Sequence, residues 1–187
     1  LALDEYDPSR AWPESRCFSL QNPPGAKRIK LTYAVKGAFT QRMMEQIQPG
    51  RQLWLKLPYG DLFSRPHSKT KTIFIAGGTG VTPFLSLFGD ANFAAYQNPV
   101  LFLGLREERH DFYHDELKQA QQINPQLQVH RYVQEKDGLI DINAIMESSS
   151  ENSHFFISGP VGMIHWCRDA LCQRGVQEEQ IFTDDWE

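Results

Sequence analysis

The residues most able to do chemistry form one short run, Ile75-Ala76-Gly77-Gly78-Thr79-Gly80-Val81-Thr82-Pro83-Phe84. Three glycines fall where an apolar strand ends and an amphipathic helix begins. Glycine permits a tight turn there and lets a phosphate or a flat aromatic ring approach the backbone. The helix N-terminus adds unpaired amide donors and a partial positive charge. The same glycines could serve only to pack helix against strand. Two departures narrow the chemistry. Thr82-Pro83 stands where the dinucleotide fingerprint has its third glycine, and no lysine follows as in a triphosphate-binding loop. Arg106 and Arg109 follow the next apolar strand, where such folds meet the adenosine ribose, and two cations there tilt the preference towards NADPH over NADH. Histidines 110, 114 and 165 lack paired spacing with carboxylates, and Cys17, Cys167 and Cys172 have no ligand spacing, so no metal is expected.

The elements that must position this turn follow from periodicity. From Lys71 the chain alternates strand and helix. Strands are expected at Thr72 to Ala76, Pro99 to Gly104, Leu127 to Val133, His154 to Ser158 and Gln180 to Thr183. Helices are expected at Thr82 to Ala95, Tyr113 to Gln122, Asp141 to Glu147 and Pro160 to Arg174. Such alternation implies an α/β domain with a five-stranded parallel sheet, because each parallel crossover needs a helix to return the chain.

Residues 1–66 are different. Proline, glycine and short alternating segments at Cys17 to Leu20, Ile29 to Lys36 and Gln52 to Leu57 imply a small antiparallel β-unit. One short helix interrupts it, with Thr40 as its expected N-cap, Met43, Met44 and Ile47 along it and Pro49-Gly50 ending it. The polar segment Ser64 to Lys71 is the expected hinge between residues 1–66 and 71–187. Met43, Met44, Phe84, Leu87 and Phe88 recur at helical spacing and are assigned to the core.

The run Gly-Gly-Thr-Gly-Val-Thr-Pro resembles the ferredoxin-NADP reductase superfamily, in which this turn faces the pyrophosphate and nicotinamide of the cofactor. The resemblance extends along nearly the whole chain and in the family's order. Arg16-Cys17-Phe18-Ser19 is similar to its flavin motif of arginine, any residue, aromatic, serine or threonine. The resemblance implies that Arg16 grips the FAD pyrophosphate, Phe18 lies against the isoalloxazine and Ser19 hydrogen-bonds near flavin N5. A guanidinium forks onto phosphate oxygens, and an aromatic face stacks on a flat ring. Phe18 replaces the commoner tyrosine, so a phenol hydrogen bond is missing. Lys36-Gly37-Ala38-Phe39-Thr40 matches the second phosphate element, and Tyr33 and Val35 would line the flavin.

Phe156-Ile157-Ser158-Gly159-Pro160-Val161-Gly162-Met163 resembles the family's strand-end motif of cysteine, glycine, proline and methionine, with Ser158 in the cysteine position. The resemblance places Ser158 near nicotinamide C4, with Gly159, Pro160 and Met163 holding that ring. On the C-terminal tail, Trp186 would shield the flavin or pack the sheet end, and Asp185 or Glu187 would relay protons. The resemblance also implies an antiparallel β-barrel flavin domain ahead of the α/β domain, incomplete here because its first strands would precede Leu1.

The implied activity is that of an FAD-dependent NAD(P)H reductase serving an iron-sulfur, haem or ferric acceptor. The alternative is a flavin-free nucleotide-binding or regulatory module, motivated by Phe18, Ser158 and the absent strands. A plain dehydrogenase is disfavoured, since no catalytic His, Tyr-Lys or zinc constellation is present. A net charge of −4 with no basic run disfavours a nucleic-acid partner. No apolar run approaches the roughly 20 residues needed to span a bilayer. Leu1 reads neither as a translation start nor as part of a signal peptide. A cytoplasmic location is expected, either free or as the cytoplasmic domain of a larger, membrane-anchored protein.

Overall fold

The computed structural model describes residues 1–57 and 59–184. Short helix α1 (Ala38–Gln46) precedes the sheet. Then come β1 (Thr72–Gly77), α2 (Thr82–Phe88), β2 (Val100–Leu105), α3 (His114–Ile123) and β3 (Gln128–Val133). They are followed by α4 (Gln134–Asp137), α5 (Ile142–Glu147), β4 (His154–Ser158), α6 (Val161–Cys172) and β5 (Ile181–Thr183).

The sheet has the expected five strands, all parallel, in the order β3-β2-β1-β4-β5. Each central strand is buried on both faces, so alternate side chains serve two cores. Phe74, Leu101, Leu103, Phe156 and Phe182 pack with Phe84, Phe88 and Leu117 of α2 and α3. Ile73, Ile75, Phe102, Phe155 and Ile157 pack with Ile145 of α5 and Ile164, Cys167 and Leu171 of α6. β1 is central. The chain runs outward from it through β2 to β3, then returns to its other side at β4. The strand order therefore reverses between β1 and β4, which opens a crevice at their carboxyl ends, where ligands of open α/β sheets bind.

Several boundaries differ from expectation. α2 stops at Phe88 instead of reaching Ala95. A Cβ on Gly89 would stand 3.2 Å from Pro23 Cδ, and the following 3-10 turn is capped by Asp90 Oδ1 accepting from Asn92 N at 2.7 Å. Thr40 is not the N-cap of α1; Gly37 is. From the third helical position Thr40 Oγ1 accepts from Lys36 N at 2.9 Å and Gly37 N at 3.1 Å. Met43 is buried as expected, whereas Met44 on the next helical position is exposed.

Among the described residues no antiparallel barrel is formed. The described residues before β1 contain α1 and two isolated antiparallel bridges, Ala2 with Ser15 and with Trp54, but no strand. The alternating segments lack the neighbours a ladder requires. Residues 29–36 receive one such backbone bond, Gln21 N to Lys30 O at 3.0 Å, and Ile29, Val35, Leu55 and Leu57 remain exposed. A small core of Leu3, Phe39 and Met43, flanked by Phe18, Tyr33 and Leu53, holds this region together.

The expected hinge is fastened down. His67 Nε2 lies 2.6 Å from the Tyr96 hydroxyl, and its ring sits edge-on to Phe156 at 4.9 Å. Ser68 N donates to His154 Nδ1 at 2.8 Å, and Lys69 and Lys71 pair with Gln97 through the backbone.

Candidate functional site

A cleft of about 1220 Å³ runs along the carboxyl ends of the sheet and is closed on its other side by residues from the N-terminal region. It brings together Arg16, Phe18, Ser19, Tyr33, Val35, the segment 37–40, Gly78, Thr79, Gly80, Thr82, Arg106, Ser158, Gly159, Pro160 and Met163. Motifs from opposite ends of the chain thus face one space. Val81 and Pro83, expected as cofactor contacts, do not line it. Both are buried, and Val81 packs in the core with Phe84 and Phe88. Trp186, together with Asp185 and Glu187, lies outside the described residues.

The glycines divide into two kinds. A Cβ on Gly80 would stand 2.3 Å from Ser158 O and 2.6 Å from Gly159 Cα, and one on Gly77 would stand 2.5 Å from Met163 Sδ. Gly80 lets the turn after β1 meet the end of β4, and Gly77 lets Met163 at the start of α6 pack against the end of β1. Gly78 has φ +55° and nothing within 4 Å of its missing side chain. Its backbone is therefore free for close approach from the cleft. The glycine-rich turn serves both packing and access, at different residues.

The end of β4 and the segment carrying Ser19 converge on a carboxylate that no motif marked. Asp184 Oδ2 accepts from Ser158 Oγ at 3.1 Å and from Ser19 Oγ at 3.3 Å, while Asp184 N donates to Ile157 O at 3.0 Å. The register pairs Ile157 with Thr183, so the residue after β5 must lie beside Ser158. That adjacency was the available signal, since the tail Asp184-Asp185-Trp186-Glu187 shows no distinguishing spacing.

On the N-terminal wall, Arg16 lies over the Phe39 ring at 5.2 Å and contacts Glu14 Oε1 at 3.3 Å in an exposed pair. Exposed pairs of this kind hold little energy, so the guanidinium can be drawn to a stronger anion. The rings of Phe18 and Tyr33 meet edge to face at 6.0 Å. Gly37, at the head of α1, has nothing within 4 Å of its missing Cβ. A cation, a helix N-terminus with an open glycine and an aromatic pair form a cradle that fits a pyrophosphate joined to a flat ring system.

At the far end, Arg106 lines the cleft and makes no ion pair among the described residues. Arg109 does not line it. Its Nε lies 2.6 Å from Glu107 Oε2 in a pair whose arginine is exposed. Phe112, Tyr132, Leu139 and Trp166 add apolar surface that sequence reasoning missed, and Phe112 and Leu139 are about two-thirds exposed. Burial, helped by Glu116 and Asp111, pushes the Tyr113 phenol up to about 12, so it stays a neutral donor.

A doubly wound sheet with a glycine turn after its central strand, open at the strand-order reversal and faced by a cationic, aromatic wall, defines a nucleotide-binding oxidoreductase domain. Residues 74–169 match the oxidoreductase NAD-binding domain family, and the chain belongs to that family, within the ferredoxin-NADP reductase superfamily. It is 34% identical over 103 residues to methane monooxygenase component C of Methylosinus trichosporium, covering 54% of this chain and 30% of that protein. It is 23% identical over 194 residues to a flavohemoprotein of Rhizobium meliloti (strain 1021), covering 93% of this chain and 48% of that one. The crystal structure of flavohemoglobin from Malassezia yamatoensis superposes with a TM-score of 0.74 at 22% identity, covering 90% of this chain and 46% of that chain. The chain spans about half or less of the length of these relatives. No described helix is long and apolar enough to cross a membrane.

Proposed function

We propose that this chain is the nucleotide-binding part, with one wall of the flavin site, of an FAD-dependent NAD(P)H reductase. Residues 71–187 would hold NADPH or NADH and residues 1–66 would hold FAD. The observation that carries the reading is the convergence of Ser19 and Ser158 on Asp184. One carboxylate ties the flavin-side motif to the nicotinamide-side motif at the floor of the cleft.

Arg16 and the first-turn amides of α1 at Ala38, Phe39 and Thr40, reached past the open Gly37, would bind the FAD pyrophosphate. Phe18, Tyr33 and Val35 would support its ring. The turn Gly78-Thr79-Gly80 with Thr82 would receive the nucleotide pyrophosphate, and Arg106 the adenosine end. Gly159, Pro160 and Met163 would seat the nicotinamide and keep water from it. Bound FAD would supply the redox chemistry, accepting a hydride and releasing electrons singly. Asp184 would orient both serine hydroxyls, fixing their lone pairs towards the reacting edge.

The electron acceptor would be a separate protein or domain carrying haem, an iron-sulfur centre or a ferric complex. The names of the relatives support this, one being a flavohemoprotein and another a monooxygenase component. Titrating FAD against the whole protein and following quenching of flavin fluorescence tests the first step. Saturable binding that weakens about 10- to 100-fold in Arg16→Ala is expected for loss of charge-assisted bonds. Failure of FAD to bind would favour a flavin-free module instead.

A further inference from the structure

Away from the proposed reacting centre, the N-terminal region is tied to α3 by a second polar cluster. Gln21 is 5% exposed, and its side-chain nitrogen, side-chain oxygen and backbone N–H are all hydrogen-bonded. Its Nε2 donates to Glu116 Oε1 at 3.0 Å, its Oε1 accepts from Thr32 Oγ1 at 2.6 Å, and its backbone N donates to Lys30 O at 3.0 Å. The Lys30 ammonium meets the same Glu116 oxygen. Beside this cluster Ser86 Oγ donates to Asn22 O at 2.6 Å. Burial would raise the Glu116 carboxyl, but the bonds from Lys30 and Gln21 outweigh it and hold it below its ordinary value.

The sequence positions give this cluster its consequence. Gln21 lies two residues beyond Ser19, and Thr32 immediately precedes Tyr33. Both segments that would face the flavin are therefore held against the nucleotide-binding domain by one carboxylate. Gln21 is the buried member of this partly exposed cluster, and moving its segment away from Glu116 would leave its desolvated amide unpaired.

Resting on the reductase reading above, we propose that Glu116, acting through Gln21 and Lys30, is a positioning residue that sets the alignment of the two cleft walls. It touches no reacting atom. Its effect reaches the reaction because hydride transfer depends steeply on the placement of the two rings, and a displacement near 1 Å can cost up to about 100-fold in rate.

The test compares wild type, Glu116→Ala, Glu116→Gln and the exposed-site variant Lys30→Met. Amide hydrogen exchange is measured on cofactor-free protein, and anaerobic flavin reduction on protein loaded with FAD. In Glu116→Ala, residues 19–33 should exchange faster. The reduction rate should fall at least about tenfold while nucleotide KM moves little, and the long-wavelength charge-transfer absorbance of stacked rings should weaken. Glu116→Gln keeps an acceptor for Gln21 and should recover most of the rate, with Lys30→Met intermediate. Unchanged exchange and rate in both Glu116→Ala and Lys30→Met would overturn the proposal. If wild type itself reduced no flavin while exchange at 19–33 still rose in Glu116→Ala, the latch would stand as a structural tie and its kinetic role would fall with the reductase reading.

Discussion

Replacing Gly80 and Gly78 by alanine separates the packing role of the glycine turn from its binding role. At Gly80 the new Cβ would meet Ser158 O at 2.3 Å, Ser158 C at 2.5 Å and Gly159 Cα at 2.6 Å, where ordinary contact begins at 3.4 Å. All three atoms are backbone, so the turn after β1 and the end of β4 must separate by about 1 Å. Overpacking of this kind costs about 1–3 kcal/mol. For a domain of this size each kcal/mol lowers Tm by about 2–4 °C, so a fall of about 2–12 °C is expected. At Gly78 the alanine Cβ meets nothing within 4 Å, and the cost is the left-handed φ of +55°, about 1 kcal/mol. Its methyl group projects towards the cleft, so nucleotide binding should weaken about tenfold, equivalent to 1.4 kcal/mol. Thermal unfolding without ligand and titration with NADH and NADPH read the two effects. A Gly80→Ala protein as stable as wild type, or a Gly78→Ala protein with undiminished nucleotide affinity, would refute the reasoning.

Asp184→Ala removes the acceptor shared by Ser19 and Ser158, and the rate of flavin reduction should fall about tenfold, the equivalent of one net hydrogen bond, in anaerobic stopped-flow. Arg106→Ala should weaken NADPH at least about tenfold and leave NADH nearly unchanged, since only the 2′-phosphate needs that cation; equal losses for both would place Arg106 elsewhere. Burial pushes the Cys167 thiol up to about 12, whereas Cys17 is exposed at the cleft. At pH 8 a thiol reagent should therefore modify Cys17 first, and FAD should protect it, as mass spectrometry of the labelled peptides would show. Glu116 has a depressed folded-state pKa, so its stabilising contribution is present at neutral pH and is lost as pH falls through that lowered value. Denaturant midpoints of wild type and Glu116→Gln should therefore converge in acid.

The α/β domain was legible because its strands are continuous apolar runs separated by turn residues, a pattern that survives without tertiary information. The limits of α2 were less legible, because Gly89 ends it for the sake of Pro23 from a distant segment. Alternation in residues 29–36 was read as strand, but a strand exists only with a partner, and these residues receive little backbone pairing. Motif matching placed Ser19 and Ser158 in one cleft, yet it missed Asp184, whose position follows from the parallel register of β4 and β5. Arg106 lines the cleft whereas Arg109 pairs with its neighbour Glu107 outside it, a difference that charge type alone does not carry.

The central claim is that the cleft joins a flavin-binding wall to a nicotinamide-binding turn. Its most direct test is anaerobic mixing of the FAD-loaded whole protein with NADH or NADPH while the visible flavin absorbance is recorded. At least one of the two nucleotides should bleach the main visible flavin band, more slowly in Asp184→Ala. A protein that binds FAD and nucleotide, yet leaves that band unchanged with both, would contradict it.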